Sequence, residues 1–183
     1  KTVSLQGYAE DLHNYFPIRC VACIEGYVKL VYSYLMEYGQ PFRGNAKKFD
    51  TIKFSIDTAI SLETHSISLG DFVSHLLPAN NFEDINKTLS TILDADFIPL
   101  CREAYKMIPR QRGFFGDDES DFNNTLNVIQ NMYKVRHILC HEVGYIQDNV
   151  YSGALAVFSP ETYLKSTWTF LSVIECVITG IAP

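Results

Sequence analysis

Apolar side chains recur at intervals of three and four along most of this chain, the pattern of helices that bury one face. Val21, Ile24, Val28, Val31 and Leu35 form one such stripe. Pro17 stands before it, where a helix start favours proline, and Gly39 stands just beyond it, so the spacing predicts a helix over 17–38. Residues 40–48, QPFRGNAKK, combine Pro, Gly and Asn and read as a loop. A second helix is expected over 49–64. A shorter one follows over 68–77, with Ser68 as its cap and Pro78 as its stop. Asn81 caps the next, which runs through Leu93 and turns Ile85, Leu89, Ile92 and Leu93 toward the core. Residues 96–108 read as helix with Pro99 tolerated in the first turn.

The segment 109–120, PRQRGFFGDDES, breaks the periodicity with Pro, Gly and an acidic run, and reads as a loop. Asp121 then opens a long helix with Phe122, Leu126, Ile129, Met132 and Tyr133 on one side. The pattern becomes irregular after Glu142, and 145–158 reads as a short hairpin or an extended loop. A last helix is expected over 160–179. There is no internal repeat and no low-complexity tract. Seven or so helices and little sheet make the expected class all-α and bundle-like.

The chain has 183 residues, of which 47% are hydrophobic and 20% charged, a globular composition. Its length suits one domain, so residues 1–183 are expected to form a single helical domain. The formal net charge of −6 argues mildly against a general phosphate binder, and any nucleic-acid site must be a local basic patch on an acidic body. The cysteines Cys20, Cys23, Cys101, Cys140 and Cys176 are odd in number and lie mostly in apolar helical stretches. They read as reduced core residues of a cytoplasmic protein. Cys20 and Cys23 form a CxxC, but no second pair accompanies them to complete a zinc site. No stretch approaches the roughly 20 apolar residues of a membrane span, so no membrane partner is expected. The opening KTVSLQGYAEDLH has no apolar run of signal-peptide type. It also lacks Met, which leaves room for a longer native chain.

The richest chemistry lies in Tyr133-Lys134-Val135-Arg136-His137-Ile138-Leu139-Cys140-His141-Glu142. Arg136 extends the series Phe122, Leu126, Ile129, Tyr133 on the side of the helix that should pack. A guanidinium is always charged and costly to bury alone. Arg136 therefore has either an internal carboxylate partner or a cleft or interface that receives an anion. His137 and His141 are four apart and share a helical face. Arg136 and His141 are five apart, about 140° around a helix, so they converge on one ligand only where the helix ends or bends near His141. Gly144 permits such an end.

An Arg, four residues and a His at the end of a long helix in an all-α chain resembles the HEPN family, whose motif is Arg, four to six residues, then His. Here it reads RHILCH, with His137 in the polar position that often follows the Arg. The early helix PIRCVACIEGYVKLVYSYL and the closing helix are similar too. SLGDFVSHLLPANNFEDINKTLSTILDADF looks like the middle part of the larger subfamilies called RiboL-PSP-HEPN. The resemblance covers about residues 15–180. One departure is clear: HEPN toxins paired with nucleotidyltransferase antitoxins carry Tyr two residues after the His, where this chain has Val143, its nearest tyrosine being Tyr145. That departure argues against control by modification of such a Tyr.

The resemblance implies a metal-independent endoribonuclease that needs no cofactor and acts as a homodimer with two motifs facing one groove. It implies catalytic roles for Arg136, His141 and His137, and RNA as substrate. Phage defence, toxin–antitoxin control and RNA processing all remain open as settings, and an antitoxin or another regulatory protein would be a further partner. The side chains suit that chemistry. RNA brings its own 2′-OH nucleophile, His moves protons near neutrality, and the guanidinium fork matches a phosphate. A substrate groove needs more cations, and Lys134 with Arg102, Lys106, Arg110 and Arg112 are the candidates. Arg102, Lys106 and Arg110 are spaced by four, which equally describes a solvated helix face.

Two other readings stand beside it. His137, His141 and Glu142 resemble a zinc set, but the order is HxxxHE, not HExxH, and no third ligand is evident. A non-catalytic HEPN domain that binds nucleotide or a partner protein fits the acidic balance.

Overall fold

The computed structural model describes residues 5–49, 55–64, 67–108, 119–141 and 158–182. Side chains are described from Tyr15 onward, except at a few helical positions that include His141. The described residues are all-α, with eight helices and no strand. In chain order they are α1 (Leu5–Tyr38), α2 (Phe42–Ala46), α3 (Ile56–Glu63), α4 (Leu69–Leu76), α5 (Phe82–Leu93), α6 (Phe97–Met107), α7 (Glu119–His141) and α8 (Pro160–Ile181).

The expected caps are present. Ser68 Oγ accepts from the Asp71 N–H at 3.0 Å, and Asn81 Oδ1 accepts from the Asp84 N–H at 2.7 Å. Each satisfies one of the donors that a helix start leaves unpaired. Leu77 turns extended ahead of Pro78, as a residue before proline prefers. Pro99 sits in the first turn of α6. Ile85, Leu89 and Ile92 are fully buried, whereas Leu93 is only half-buried.

Other boundaries differ from the sequence pattern. α1 begins at Leu5, which places Pro17 inside the helix instead of at its opening. Gln6, Ala9, Glu10 and Leu12 are good helix formers and carry the helix past a residue that interrupts one backbone bond. The stretch read as a loop over 40–48 contains α2, anchored by buried Phe42 and by Asn45, which donates to the Ile92 carbonyl at 2.9 Å. A single turn with one buried aromatic has no periodicity to detect. Phe49 precedes α3 instead of belonging to it, and 50–54 lie outside the described residues. α7 starts at Glu119, two residues before the expected Asp121. The loop through 118 and the hairpin expected over 145–158, save Phe158, lie outside the described residues.

The chain divides into two compact units. Unit 1 comprises 1–24 and 105–174. Its core takes Val21 and Ile24 from α1, Phe122, Ile129 and Met132 from α7, and Tyr163, Phe170 and Val173 from α8. The ring of Tyr105 stacks on Phe122 with centroids 5.1 Å apart. Unit 2 comprises 25–104 and 175–183. Its core is built on Val28, Tyr32 and Leu35 of α1, Phe82, Ile85 and Leu89 of α5, and Phe97 and Cys101 of α6. Tyr32 donates to the Pro78 carbonyl at 3.3 Å, and Tyr34 donates to the Ala182 carbonyl at 2.9 Å.

By length and composition α8 is apolar enough to cross a membrane, a property that the core helix of a soluble protein shares, and its Ser166, Thr167 and Thr169 are buried in unit 1.

Candidate functional site

α7 carries the candidate chemistry on unit 1. Phe122, Leu126, Ile129, Met132 and Tyr133 are buried as their spacing requires, and Val135 and Leu139 prolong that stripe toward the C-terminal end. Arg136 stands at the helical angle of that stripe, between Ile129 and Met132, yet is only half-buried, while Lys134, His137 and Cys140 are exposed. The helix buries an apolar face along its length, and its solvent face carries Asn123, Asn124 and Asn127 in the first turns and Lys134 and His137 in the last.

The backbone is helical through His141. At about 100° per residue, positions 134, 137 and 141 share one face, and position 136 stands about 140° from 141. α7 therefore gathers Lys134, His137 and His141 into one stripe and sets Arg136 apart with Tyr133 and Cys140. No bend before His141 brings positions 136 and 141 of one chain to a common face.

The cations proposed for the groove are distributed differently. Arg102 is half-buried and belongs to unit 2, and Lys106 is exposed and belongs to unit 1. Arg110 and Arg112 lie outside the described residues, as do Glu142, Val143 and Tyr145.

The cysteines are not uniformly core residues. Cys20 and Cys101 are buried, Cys176 is intermediate, and Cys23 and Cys140 are exposed. Burial pushes the Cys20 and Cys101 thiols up. The CxxC pair is split between interior and solvent because positions three apart at the edge of a buried stripe fall on either side of its boundary. Among the described residues, no three His, Cys, Asp or Glu side chains are grouped to hold a metal ion.

A second feature has no counterpart among the sequence motifs. On unit 2, Tyr27, Leu30, Val31 and Tyr34 of α1 meet Glu175, Ile178 and Thr179 of α8 around an open apolar groove of about 290 Å³. The hydroxyl of Tyr27 donates to Glu175 Oε2. The groove joins residues nearly 150 apart in sequence, so no local motif marks it. The available signal was a second α1 stripe at 27, 30, 34 and 38 that did not belong to the buried one.

No family model matches the chain, and neither a curated protein nor a solved structure shows significant similarity to it.

Proposed function

We propose that this chain is a metal-independent endoribonuclease of the HEPN type, with Arg136 and His141 at a cleft between two copies. One observation carries the reading. An arginine stands half-buried in line with the α7 packing stripe, five residues before a histidine at the helix's last described position, with exposed Lys134 and His137 beside it. In the reaction, the 2′-OH attacks the adjacent phosphorus, a base removes its proton, and the 5′-oxygen leaves with a proton from an acid. His141 serves the proton transfers and Arg136 offsets charge on the non-bridging oxygens. The products are a 2′,3′-cyclic phosphate and a 5′-OH. His137, as the polar residue after the Arg, orients its neighbours, and Lys134 and Lys106 attract the RNA backbone.

The 140° between the two motif positions supports the dimer. A single straight helix sets positions 136 and 141 in different sectors, whereas two copies related by a two-fold axis can bring both groups to one phosphate. The same separation, with the net charge of −6, favours a second reading, a non-catalytic domain that binds nucleotide or a protein partner. Incubating assorted single-stranded RNAs with the wild type and with His141→Ala in EDTA separates the two. Cleavage by the wild type alone, with cyclic phosphate ends, supports the nuclease. No cleavage of any RNA, with retained nucleotide binding, supports the module. Activity that vanishes in EDTA and returns with a divalent metal overturns the metal-independent mechanism.

A further inference from the structure

The unit 2 groove is apolar, open to solvent and electronegative. Its walls are apolar and aromatic: Tyr27, Leu30, Val31, Tyr34 and Ile178 supply nearly all of its lining. Leu30 and Tyr34 stay exposed, at 67% and 46%, so the wall is open to a ligand from solvent. Its one charged lining residue is Glu175, held by the Tyr27 hydroxyl, with no Lys or Arg in the lining. Ile178 and Thr179 belong to the closing turns of α8, where a helix presents its negative end, and the last turn of α8 carries no basic residue. Carboxylate and helix end favour the same sign of charge, and Tyr27 and Tyr34 give the groove an aromatic wall.

We propose that this groove binds a small amphipathic organic cation, its ammonium group at Glu175 and its apolar body along Tyr27, Leu30 and Tyr34. The occupant is a small molecule because about 290 Å³ holds one short apolar chain or ring and not a helix. An acid is disfavoured by Glu175. A neutral molecule of the same shape keeps the apolar contact and loses the charge pairing. The site lies wholly within unit 2 and does not depend on the ribonuclease reading, which rests on α7 in unit 1.

The test compares three probes that share one body: 4-phenylbutylamine, 4-phenylbutanol and 4-phenylbutyrate. Calorimetry gives affinities, and amide chemical shifts locate the site. The amine should bind one-to-one, about fivefold tighter than the alcohol given the modest worth of one exposed ion pair. The acid should bind more weakly than the alcohol. Glu175→Gln should bring amine and alcohol to similar affinity, and Leu30→Arg, at an exposed position, should abolish amine binding while the protein stays folded. Equal binding of amine and alcohol by the wild type overturns the proposal. So does an amine preference that survives Glu175→Gln, a set of shifts that maps away from 27–34 and 175–179, or no saturable binding up to millimolar amine.

Discussion

The Glu37 carboxylate accepts a hydrogen bond from the Gly70 N–H at 2.7 Å, tying the end of α1 to the first turn of α4. The contact is close because Gly70 has no side chain. A Cβ placed there would lie 2.5 Å from the Ser33 carbonyl oxygen and 2.8 Å from Glu37 Oε1. Backbone cannot yield as a flexible side chain does, so α4 would have to move away from α1. Gly70→Ala should therefore cost about 1–3 kcal/mol, the usual range for overpacking. Gly26 is the control. It lies within α1, and a methyl added there would meet nothing within 4 Å, so Gly26→Ala should stabilise by about 0.5–1 kcal/mol through helix propensity. Urea unfolding of both variants checks the pair, and a shift of the same sign in both would contradict the packing argument.

The caps offer a second measurement. Ser68→Ala removes the acceptor for the Asp71 N–H, and Asn81→Ala removes the acceptor for the Asp84 N–H. Each should lower stability by about 1 kcal/mol, and Gly at either site should cost less than Ala. A Thr at 68 should restore most of the loss. If Ser68→Thr is no better than Ser68→Ala, the hydroxyl is not what holds the start of α4.

How far these features were legible depends on how local their causes are. Ser68, Asn81 and Pro78 act within a turn of themselves, so their roles were readable directly. The stripes Val21–Leu35 and Phe122–Tyr133 needed only regular spacing. Pro17 misled because proline marks a helix start and also tolerates an interior place when the flanking segment is helical enough. α2 and the close approach at Gly70 depend on contacts with distant residues, Ile92 in one case and Ser33 in the other. At the candidate site, regular spacing was enough to place positions 136, 137 and 141 in the last turns of a long helix, where the backbone has them. Their grouping required the backbone to be helical through His141, which turns Lys134, His137 and position 141 to one face and Arg136 to another.

The thiols should divide by reactivity. Native protein at pH 8 should give fast reaction of exposed Cys23 and Cys140 with a thiol reagent, and Cys20 and Cys101 should react only on unfolding. The alkaline consequence has a definite sign. Burial raises the Cys101 thiol above its ordinary 9.0, so the folded state keeps the proton that the unfolded chain releases. The stability this represents is whole below pH 9.0 and is lost as pH climbs beyond it. Buried Tyr32, also raised from its ordinary 10.0, adds a loss in the same direction. Cys101→Ser would not show this thiol-linked part of the alkaline slope. Unfolding midpoints that stay level from pH 8 to 11 would remove the argument.

The ribonuclease reading rests on what Arg136 does, and four substitutions divide its possible roles. His141→Ala removes the proton-transfer group and should lower cleavage by about 10² to 10⁴. Arg136→Ala should cost a similar factor. Arg136→Lys should recover little, because an ammonium cannot reproduce the paired donors that a guanidinium offers a phosphate. His137→Asn keeps a polar group after the Arg and should be the mildest. Arg136 is only half-buried, so its loss should leave the fold and the dimer intact, which circular dichroism and light scattering report. The mixed dimer gives the sharpest comparison. Because positions 136 and 141 point about 140° apart on one helix, the proposed site pairs the Arg of one copy with the His of the other. Mixing Arg136→Ala with His141→Ala should then rebuild one complete site per heterodimer, along with one doubly defective site. Half of the chains pair as heterodimers at random exchange, so activity should return to roughly a quarter of the wild type. Sites completed within a single chain would give no such recovery. A loss of fold in Arg136→Ala, with His141→Ala unchanged in every assay, would make Arg136 a structural cation and leave the non-catalytic module as the better account.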